Sequence, residues 1–220
     1  MKRLLSIDVY FDFICPWCLI GRRQLQAALV QFKAAQPEVE VNLAWQGVQL
    51  LPELPFDGQP FAEFYRRRLG SDQAVRQRQA QVREAASAVG EQIEFSRIER
   101  MPNTADAHRL LLHASELGNE AQVEALLERL LAAYFKQGED LGDRATLLCI
   151  AEQCGFAPEA LAGSVRGDGL PFVSAGADIA GRGVPCFVFD DRLQVVGAQP
   201  AEALLEAMHL AVSGLAEREA

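Results

Sequence analysis

The chain begins with a short apolar segment that has the composition of a buried strand. Residues 4–13 are rich in aliphatic and aromatic side chains, and the segment is too short for a long helix. Apolar residues then recur at helical spacing until Gln36-Pro37 ends the pattern. Residues 39–45 alternate apolar and polar positions, which is the period of a strand with one buried face. The pattern therefore predicts a strand, a helix and a second strand.

The middle of the chain has a different pattern, and strands return only near its end. Residues 61–163 show helical periodicity almost throughout. The β-type runs 184–189 and 193–196 are separated by the turn signal Asp190-Asp191 and predict a hairpin. Pro200 then opens a final helix. Its predicted buried stripe is Leu204, Leu205, Met208 and Leu215.

This order of elements predicts an α/β fold that is interrupted by an α-helical insertion. Residues 1–55 and 180–220 are predicted to form one domain, and residues 56–179 an inserted helical domain. An insertion between the two halves of a fold is placed where a lid over a site would lie.

The charge balance argues against a nucleic-acid partner. The 220 residues carry 30 acidic and 21 basic side chains, for a formal net charge of -9, so the chain as a whole repels polyphosphates. No stretch reaches the roughly 18 apolar residues of a membrane helix, so no membrane association is expected.

Cysteine usage predicts a reducing compartment. The chain has 5 cysteines, an odd number at low density, which is not the pattern of a secreted disulfide framework. Met1-Lys2-Arg3 resembles the basic start of a signal peptide, but Asp8 and Asp12 interrupt the apolar region that should follow. We therefore expect a cytoplasmic protein.

The most informative motif is Cys15-Pro16-Trp17-Cys18, at the predicted junction of the first strand and first helix. The amide groups and dipole of a helix N-terminus favour negative charge, so Cys15 is expected to lose its proton more readily than an ordinary thiol. Cys18 returns to the same side of the helix, where it can attack a mixed disulfide formed at Cys15. Pro16 suits the first turn, where it sacrifices no hydrogen bond.

Two alternatives for this pair carry no redox chemistry. The two cysteines could form half of a zinc site, with Cys149 and Cys154 as the other half. Five positions on a helix rotate by about 140° past a full turn, so the second pair would point apart, and no metal is expected. A purely structural cysteine pair is the other alternative.

Two further segments are candidates for the site. Val184-Pro185 opens a β-type run, where proline removes a donor from the ladder and an X-Pro bond can be cis. Asn103 or Thr104 suits a helix N-cap, which explains the segment without any function. His108 follows on that helix as a core or groove histidine, or as a group that tunes the cysteines or contacts substrate.

Five ordered motifs resemble the FrnE-like group in the DsbA branch of the thioredoxin superfamily. The resemblance implies a thioredoxin fold with a large helical insertion between its second and third strands. The motifs are the segment from Phe11 to Cys18, Asn103-Thr104 with residues 107–110, residues 133–135 with Gly138, Gly183-Val184-Pro185, and Gly197-Ala198-Gln199-Pro200.

The resemblance also implies an activity and a role for each site residue. The implied function is a dithiol–disulfide oxidoreductase or isomerase, in which Cys15 attacks, Cys18 resolves and Pro185 is a cis-proline in a loop that aligns the substrate. Peptides, proteins or small thiols are the implied partners, glutathione is a candidate co-substrate, no tightly bound cofactor is expected, and the protein is a monomer or homodimer. The implied substrate-binding residues are Pro16, Trp17, Val184, Asn103 and His108.

Two other functions stay open at this point. Glutathione-dependent isomerases and transferases, of the 2-hydroxychromene-2-carboxylate isomerase and kappa classes, resemble the chain in the insertion and the Val-Pro loop. Their active position is typically Ser, whereas this chain has Cys15. The second alternative is a non-catalytic chaperone or partner-binding module.

The remaining cysteines have separate expectations. Cys186 should face away from the site as a buried small apolar residue. Cys149 and Cys154 are predicted to lie in a helix over residues 146–155, as core or partly exposed residues. Some FrnE-like proteins carry a second cysteine pair with this spacing, so a regulatory disulfide between them is a hypothesis.

Overall fold

The computed structural model describes residues 3–174 and 183–216 of the chain. Its strands are β1 (Arg3–Phe11), β2 (Val39–Gly47), β3 (Gln59–Pro60), β4 (Arg100–Met101), β5 (Cys186–Phe189) and β6 (Leu193–Val196). Its α-helices are α1 (Pro16–Ala35), α2 (Phe61–Leu69), α3 (Asp72–Ala88), α4 (Ala105–Leu117), α5 (Glu120–Ala132), α6 (Arg144–Gln153), α7 (Pro158–Leu161) and α8 (Ala201–Ala216).

The chain divides into two compact units that differ in secondary structure. The first unit comprises Met1–Val48 and Ser174–Ala220, and it contains the main sheet. The second unit is Gln49–Val173, and it is mostly helical. The helical segment therefore interrupts the sheet between β2 and β5, and the predicted α/β fold with a helical insertion is confirmed.

The sheet of the first unit has the strand order β2-β1-β5-β6. β1 pairs in parallel with β2, with Arg3 opposite Val39 and Phe11 opposite Gly47. A parallel pair needs a long crossover, which α1 supplies. β5 runs antiparallel to β1 on its other side, and the β5–β6 hairpin completes the sheet.

One face of this sheet is covered by α1 and α8, which together enclose the core of the unit. Leu25 and Phe32 of α1 are fully buried, as are Leu204 and Met208 of α8. The spacings of seven residues in α1 and four residues in α8 place each pair on one helix face, as the periodicity predicts. The side chain of Leu215, also predicted for this stripe, lies outside the described side chains.

The predicted hairpin near the end of the chain is confirmed. Asp190 and Asp191 connect β5 to β6 with φ angles of 48° and 55°. Two consecutive left-handed residues are the geometry of a type I′ turn, which Asp tolerates better than most residues because its short side chain can bond locally. The Asp190 carboxylate accepts a hydrogen bond of 2.9 Å from the Ser6 amide, which ties the turn to β1.

The second unit is built from capped amphipathic helices. Asn119 and Gln122 form a reciprocal capping box at the start of α5, and Ser71 and Asp143 accept backbone N–H groups at the starts of α3 and α6. Buried residues such as Leu126 lie on the inner faces of these helices.

Residues 61–163 are mostly helical, as the periodicity predicts, but short non-α-helical pieces lie within this range or at its edge. β3 and β4 form a two-stranded sheet, with Gln59 opposite Met101. Phe95–Arg97 is a single 3₁₀ turn, and α5 continues into a π-helical segment, Ala133–Gln137, that ends at Gly138. These pieces are too short to show a period in the sequence. Among the residues the structure describes, none of the helices has the length and apolar character to cross a membrane.

Candidate functional site

Cys15 lies at the N-terminus of α1, as the motif predicts. It is the N-cap residue, with φ -88° and ψ 108°, and Pro16 occupies the first helical position. The Cys15 N–H donates to the Asp12 carbonyl at 3.1 Å, and the Cys15 carbonyl accepts the Cys18 N–H at 3.0 Å. The tight turn before α1 thus places the Cys15 thiol, 7% exposed, beside the positive end of the helix.

Cys18 is the more deeply buried thiol of the pair. It is 3% exposed, and burial raises its pKa well above the ordinary value. A hydrogen bond to the Cys15 sulfur and the charge of that sulfur raise the pKa of Cys18 further. Cys18 is therefore a neutral thiol at neutral pH, within hydrogen-bond distance of its partner.

The Val184-Pro185 segment lies next to these cysteines. The Val184–Pro185 peptide bond is cis, and the Cys15 thiol donates to the Val184 carbonyl with a sulfur–oxygen distance of 3.7 Å. The Pro185 carbonyl accepts the Gly197 N–H at 2.7 Å, which holds the loop to the end of β6. Four residues predicted for the site from distant parts of the chain are thus brought together: Cys15, Cys18, Val184 and Pro185.

Pro16 and Trp17 form the accessible part of the motif. Both are partly exposed, whereas the two cysteines that flank them are buried. Pro16 and Trp17 are therefore the two residues of the motif that solvent reaches most.

Asp12 is a residue of this site that the sequence reasoning missed. Its side chain is fully buried, and its carbonyl accepts the Cys15 N–H. A hydrogen bond between Cys18 and the Asp12 main chain lowers the pKa of Cys18, and the charge of Asp12 raises that pKa by a smaller amount. A buried carboxylate is costly unless its surroundings compensate it. An acidic residue in an apolar segment, three positions before a Cys-x-x-Cys motif, is the signal that could have identified it.

The family model of the DSBA-like thioredoxin domain matches residues 6–209. The chain belongs to this family. The match spans both the cysteine motif and the Val184-Pro185 loop, and it agrees with the thioredoxin fold expected from the resemblance.

Solved structures of similar proteins agree with the DSBA-like assignment. A probable DsbA oxidoreductase from Streptomyces coelicolor is 28% identical, with a TM-score of 0.77 over 94% of this chain and 89% of that one. A 2-hydroxychromene-2-carboxylate isomerase is 15% identical, with a TM-score of 0.62 over 96% and 98% of the two chains. The cytosolic disulfide reductase DsbM from Pseudomonas aeruginosa, solved with glutathione, is 18% identical, with a TM-score of 0.54 over 97% and 98%. No curated protein matches the sequence significantly.

Asn103 belongs to the helical unit of this DSBA-like chain, at the start of α4. It is 4% exposed, and its side chain accepts from the Gln49 side chain at 2.8 Å and from the Ala105 N–H at 3.0 Å. It also donates to the Leu54 carbonyl at 2.8 Å. The residue preceding α4 is Thr104, but it makes no side-chain capping bond, so Asn103 supplies the cap from one position earlier.

His108 lies one turn further along α4. It is 1% exposed, and its ring stacks on Phe172 with a centroid distance of 5.2 Å. Phe172 in turn donates its N–H to the Gln49 side chain at 2.7 Å, so His108 and Asn103 belong to one packed region of the helical unit. These contacts give both residues a structural role, and their assignment to substrate binding stays a prediction.

The three remaining cysteines differ in burial. Cys186 is fully buried beside Tyr10 and Val188, so the prediction that it is a buried apolar residue is confirmed. Cys149 is exposed on α6, and Cys154 is half-buried at the helix end, where burial raises its pKa. Within residues 3–174 and 183–216, no cluster of three or more His, Cys, Asp or Glu side chains is placed to hold a metal.

Proposed function

We propose that this DSBA-like protein is a FrnE-like thiol–disulfide oxidoreductase or isomerase that acts through Cys15-Pro16-Trp17-Cys18. The observation that carries the proposal is the 3.7 Å contact between the Cys15 sulfur and the Val184 carbonyl, at the N-terminus of α1. It places the Cys15 thiol, at the N-terminus of α1, beside a main-chain carbonyl that precedes Pro185 and that an extended substrate can approach.

The proposed reaction begins at Cys15, because Cys18 holds its proton. The Cys15 thiolate attacks one sulfur of the substrate disulfide, and the other substrate sulfur leaves as a thiolate and takes a proton from solvent. Cys18 then loses its proton and attacks the Cys15 sulfur, which releases the second substrate thiol and leaves a Cys15–Cys18 disulfide. The substrate gains two electrons and two protons that the cysteine pair loses, and the reverse sequence oxidises a dithiol.

Substrate recognition is proposed to use main chain as well as side chains. Pro16 and Trp17 present a partly apolar surface beside Cys15, and an extended peptide could pair with the main chain of Val184 as an added strand. Pro185 fixes the backbone that presents this edge. Asn103 and His108 are the proposed contributions from the helical unit.

The proposed partners are peptides, proteins or small molecules that carry thiols or disulfides. Glutathione is the proposed co-substrate, without a tightly bound cofactor, and the structure of the DsbM neighbour with glutathione supports this chemistry for the fold. A cytoplasmic monomer or homodimer is proposed, in which net reduction, oxidation or isomerisation depends on the redox potential of the pair. A difference of about 30 mV between pair and compartment changes the balance tenfold.

The test is an equilibrium titration in glutathione redox buffers, read by thiol alkylation and mass. We expect the wild type to show a reversible two-electron transition, and no stable glutathione adduct should remain on the protein. Cys18→Ser should hold a mixed disulfide at Cys15, because the resolving thiol is absent, and Cys15→Ser should form none at this site. Cys149→Ser is the matched control, since it removes an exposed thiol that belongs to the helical unit and not to the Cys15-Pro16-Trp17-Cys18 motif.

The titration, together with a disulfide-exchange rate assay and an aggregation assay, separates the proposal from its alternatives. A wild-type pair that never closes, or that keeps one glutathione, would favour the glutathione-dependent isomerase or transferase. Reaction of Cys15→Ser at the wild-type rate would contradict any role for this pair. Aggregation suppression that is undiminished without both cysteines would favour the chaperone alternative.

A further inference from the structure

Gly21 lies where α1 meets the segment that follows Val184. It is a buried residue in the second turn of the helix. A Cβ atom built on it would lie 2.8 Å from Cγ of Pro185 and 3.2 Å from Cζ of Phe187. Ordinary van der Waals contact begins near 3.4 Å, so the helix backbone and the proline ring leave no space for a methyl group.

Neither neighbour can withdraw freely from this contact. Phe187 is fully buried and lies opposite Val9 in the β1–β5 pair. Pro185 is buried, and its carbonyl accepts the Gly197 N–H at 2.7 Å. A side chain at position 21 would therefore displace the Pro185 segment as a whole, and Val184 is directly bonded to it.

A glycine inside a helix calls for a local reason. It loses more backbone freedom on folding than alanine does, which makes it unfavourable at such a position. Gly21 also lacks a positive φ angle that would require glycine. The close approach of Pro185 is thus the feature of the described structure that excludes a larger residue.

We propose that Gly21 is a positioning residue for disulfide exchange: its missing side chain lets the Pro185 segment approach α1 and so sets the Val184 carbonyl at its distance from the Cys15 sulfur. The inference rests on the proposed function, because the distance matters only when a substrate uses both groups. A purely structural role would affect stability and leave the chemistry of the folded protein unchanged.

Gly21→Ala should uncouple substrate positioning from thiol reactivity. Relieving the contact from 2.8 to 3.4 Å moves the proline ring by roughly 0.6 Å, and a misplacement of about 1 Å can cost about a hundredfold in rate. We expect the kcat/KM for a short synthetic peptide disulfide to fall about 10- to 100-fold. Alkylation of Cys15 by iodoacetamide, which needs no contact with Val184, should stay within about twofold of wild type.

The matched control is Gly214→Ala in α8. Gly214 is also helical, but a Cβ there would lie 3.4 Å from the flexible end of Arg192 and clash with nothing rigid. Both variants gain the same helix propensity, so the control should keep wild-type rates in both assays. All rates are measured on the full chain, well below each variant's melting temperature.

A double variant provides a rescue test and covers a failure of Gly21→Ala to fold. Adding Phe187→Leu removes the ring atom 3.2 Å from the new methyl group, so that the methyl group can shift into the vacated space and away from Pro185; the exchange rate with the peptide disulfide should then rise at least threefold over that of Gly21→Ala. Equal kcat/KM values for the peptide disulfide in Gly21→Ala and wild type would overturn this inference and leave the proposed function intact. Equal losses in kcat/KM and in the alkylation rate of Cys15 would do the same. If neither variant folds while Gly214→Ala does, Gly21 serves packing and the positioning role is wrong. If the wild-type protein does not exchange the peptide disulfide, the proposed function itself is wrong.

Discussion

The buried Cys18 thiol should make the reduced protein less stable at alkaline pH. Burial raises the pKa of Cys18 in the folded state, whereas in the unfolded chain it titrates near its ordinary value of about 8.5. Above that pH the unfolded state releases a proton that the folded state keeps. The stability linked to Cys18 is therefore fully present below about pH 8.5 and is lost as the pH rises towards the folded pKa.

The magnitude follows from proton linkage. While folded Cys18 stays protonated, the unfolding free energy attributable to this group falls by about 1.4 kcal/mol between pH 7.5 and 9.5. For a chain of this size, about 1 kcal/mol corresponds to about 2–4 °C in melting temperature. The expected loss is therefore about 3–6 °C.

The assay compares Cys15→Ala with Cys15→Ala/Cys18→Ala by thermal unfolding under reducing conditions. The shared Cys15→Ala background removes the partner thiol, so only the response of Cys18 differs, and burial, the largest cause of the raised pKa, remains. Tyr10 and Cys154 also have raised pKa values, but they are present in both proteins and cancel in the difference. A difference between the two melting temperatures that is constant from pH 7.5 to 9.5 would refute the reasoning.

Two further predictions concern the helical unit, and urea unfolding checks both. Asp106→Ala should cost about 1–3 kcal/mol, because the buried Arg109 loses the carboxylate 2.6 Å away and keeps Asp168 at 3.7 Å and the Pro171 carbonyl at 3.1 Å. Asp72→Ala, at an exposed ion pair, should change the unfolding midpoint little, and equal losses in the two variants would contradict the role of burial. Gly138→Ala should destabilise the protein more than Gly90→Ala, because both positions have a positive φ but only a Cβ at Gly138 would clash with a backbone oxygen, that of Arg97. Similar losses of stability in the two variants would show that the Gly138 segment relaxes.

The elements that the sequence predicts well are those whose signal is local. The stripe of α1, with Leu25 and Phe32 seven residues apart, needs only the helical period to be recognised. The hairpin needs only two β-type runs around Asp190-Asp191. The position of Cys15 at a helix N-terminus likewise follows from local signals, because a strand, a proline and an apolar helical stripe together define where α1 begins.

The features that the sequence does not predict depend on contacts between distant segments. β3 and β4 are two residues each, and they exist because Gln59 and Met101 meet across the fold. The burial of Cys18 depends on what packs over α1, which spacing alone does not show. The exclusion of a side chain at Gly21 depends on Pro185, 164 positions later, so the sequence shows a glycine without its reason.

The two cysteines therefore receive their proposed roles from different levels of structure. The proposed role of Cys15 depends on a local feature, the N-terminus of α1, which neighbouring residues form. The proposed role of Cys18 depends on its burial. The Val184 carbonyl lies beside Cys15 only because β5 pairs with β1 after the helical insertion. A Cys-x-x-Cys segment alone would thus hold two thiols at helical spacing. The proposed difference between an attacking and a resolving thiol arises only when both ends of the chain join one sheet. The same pairing brings the Val184 main chain beside Cys15.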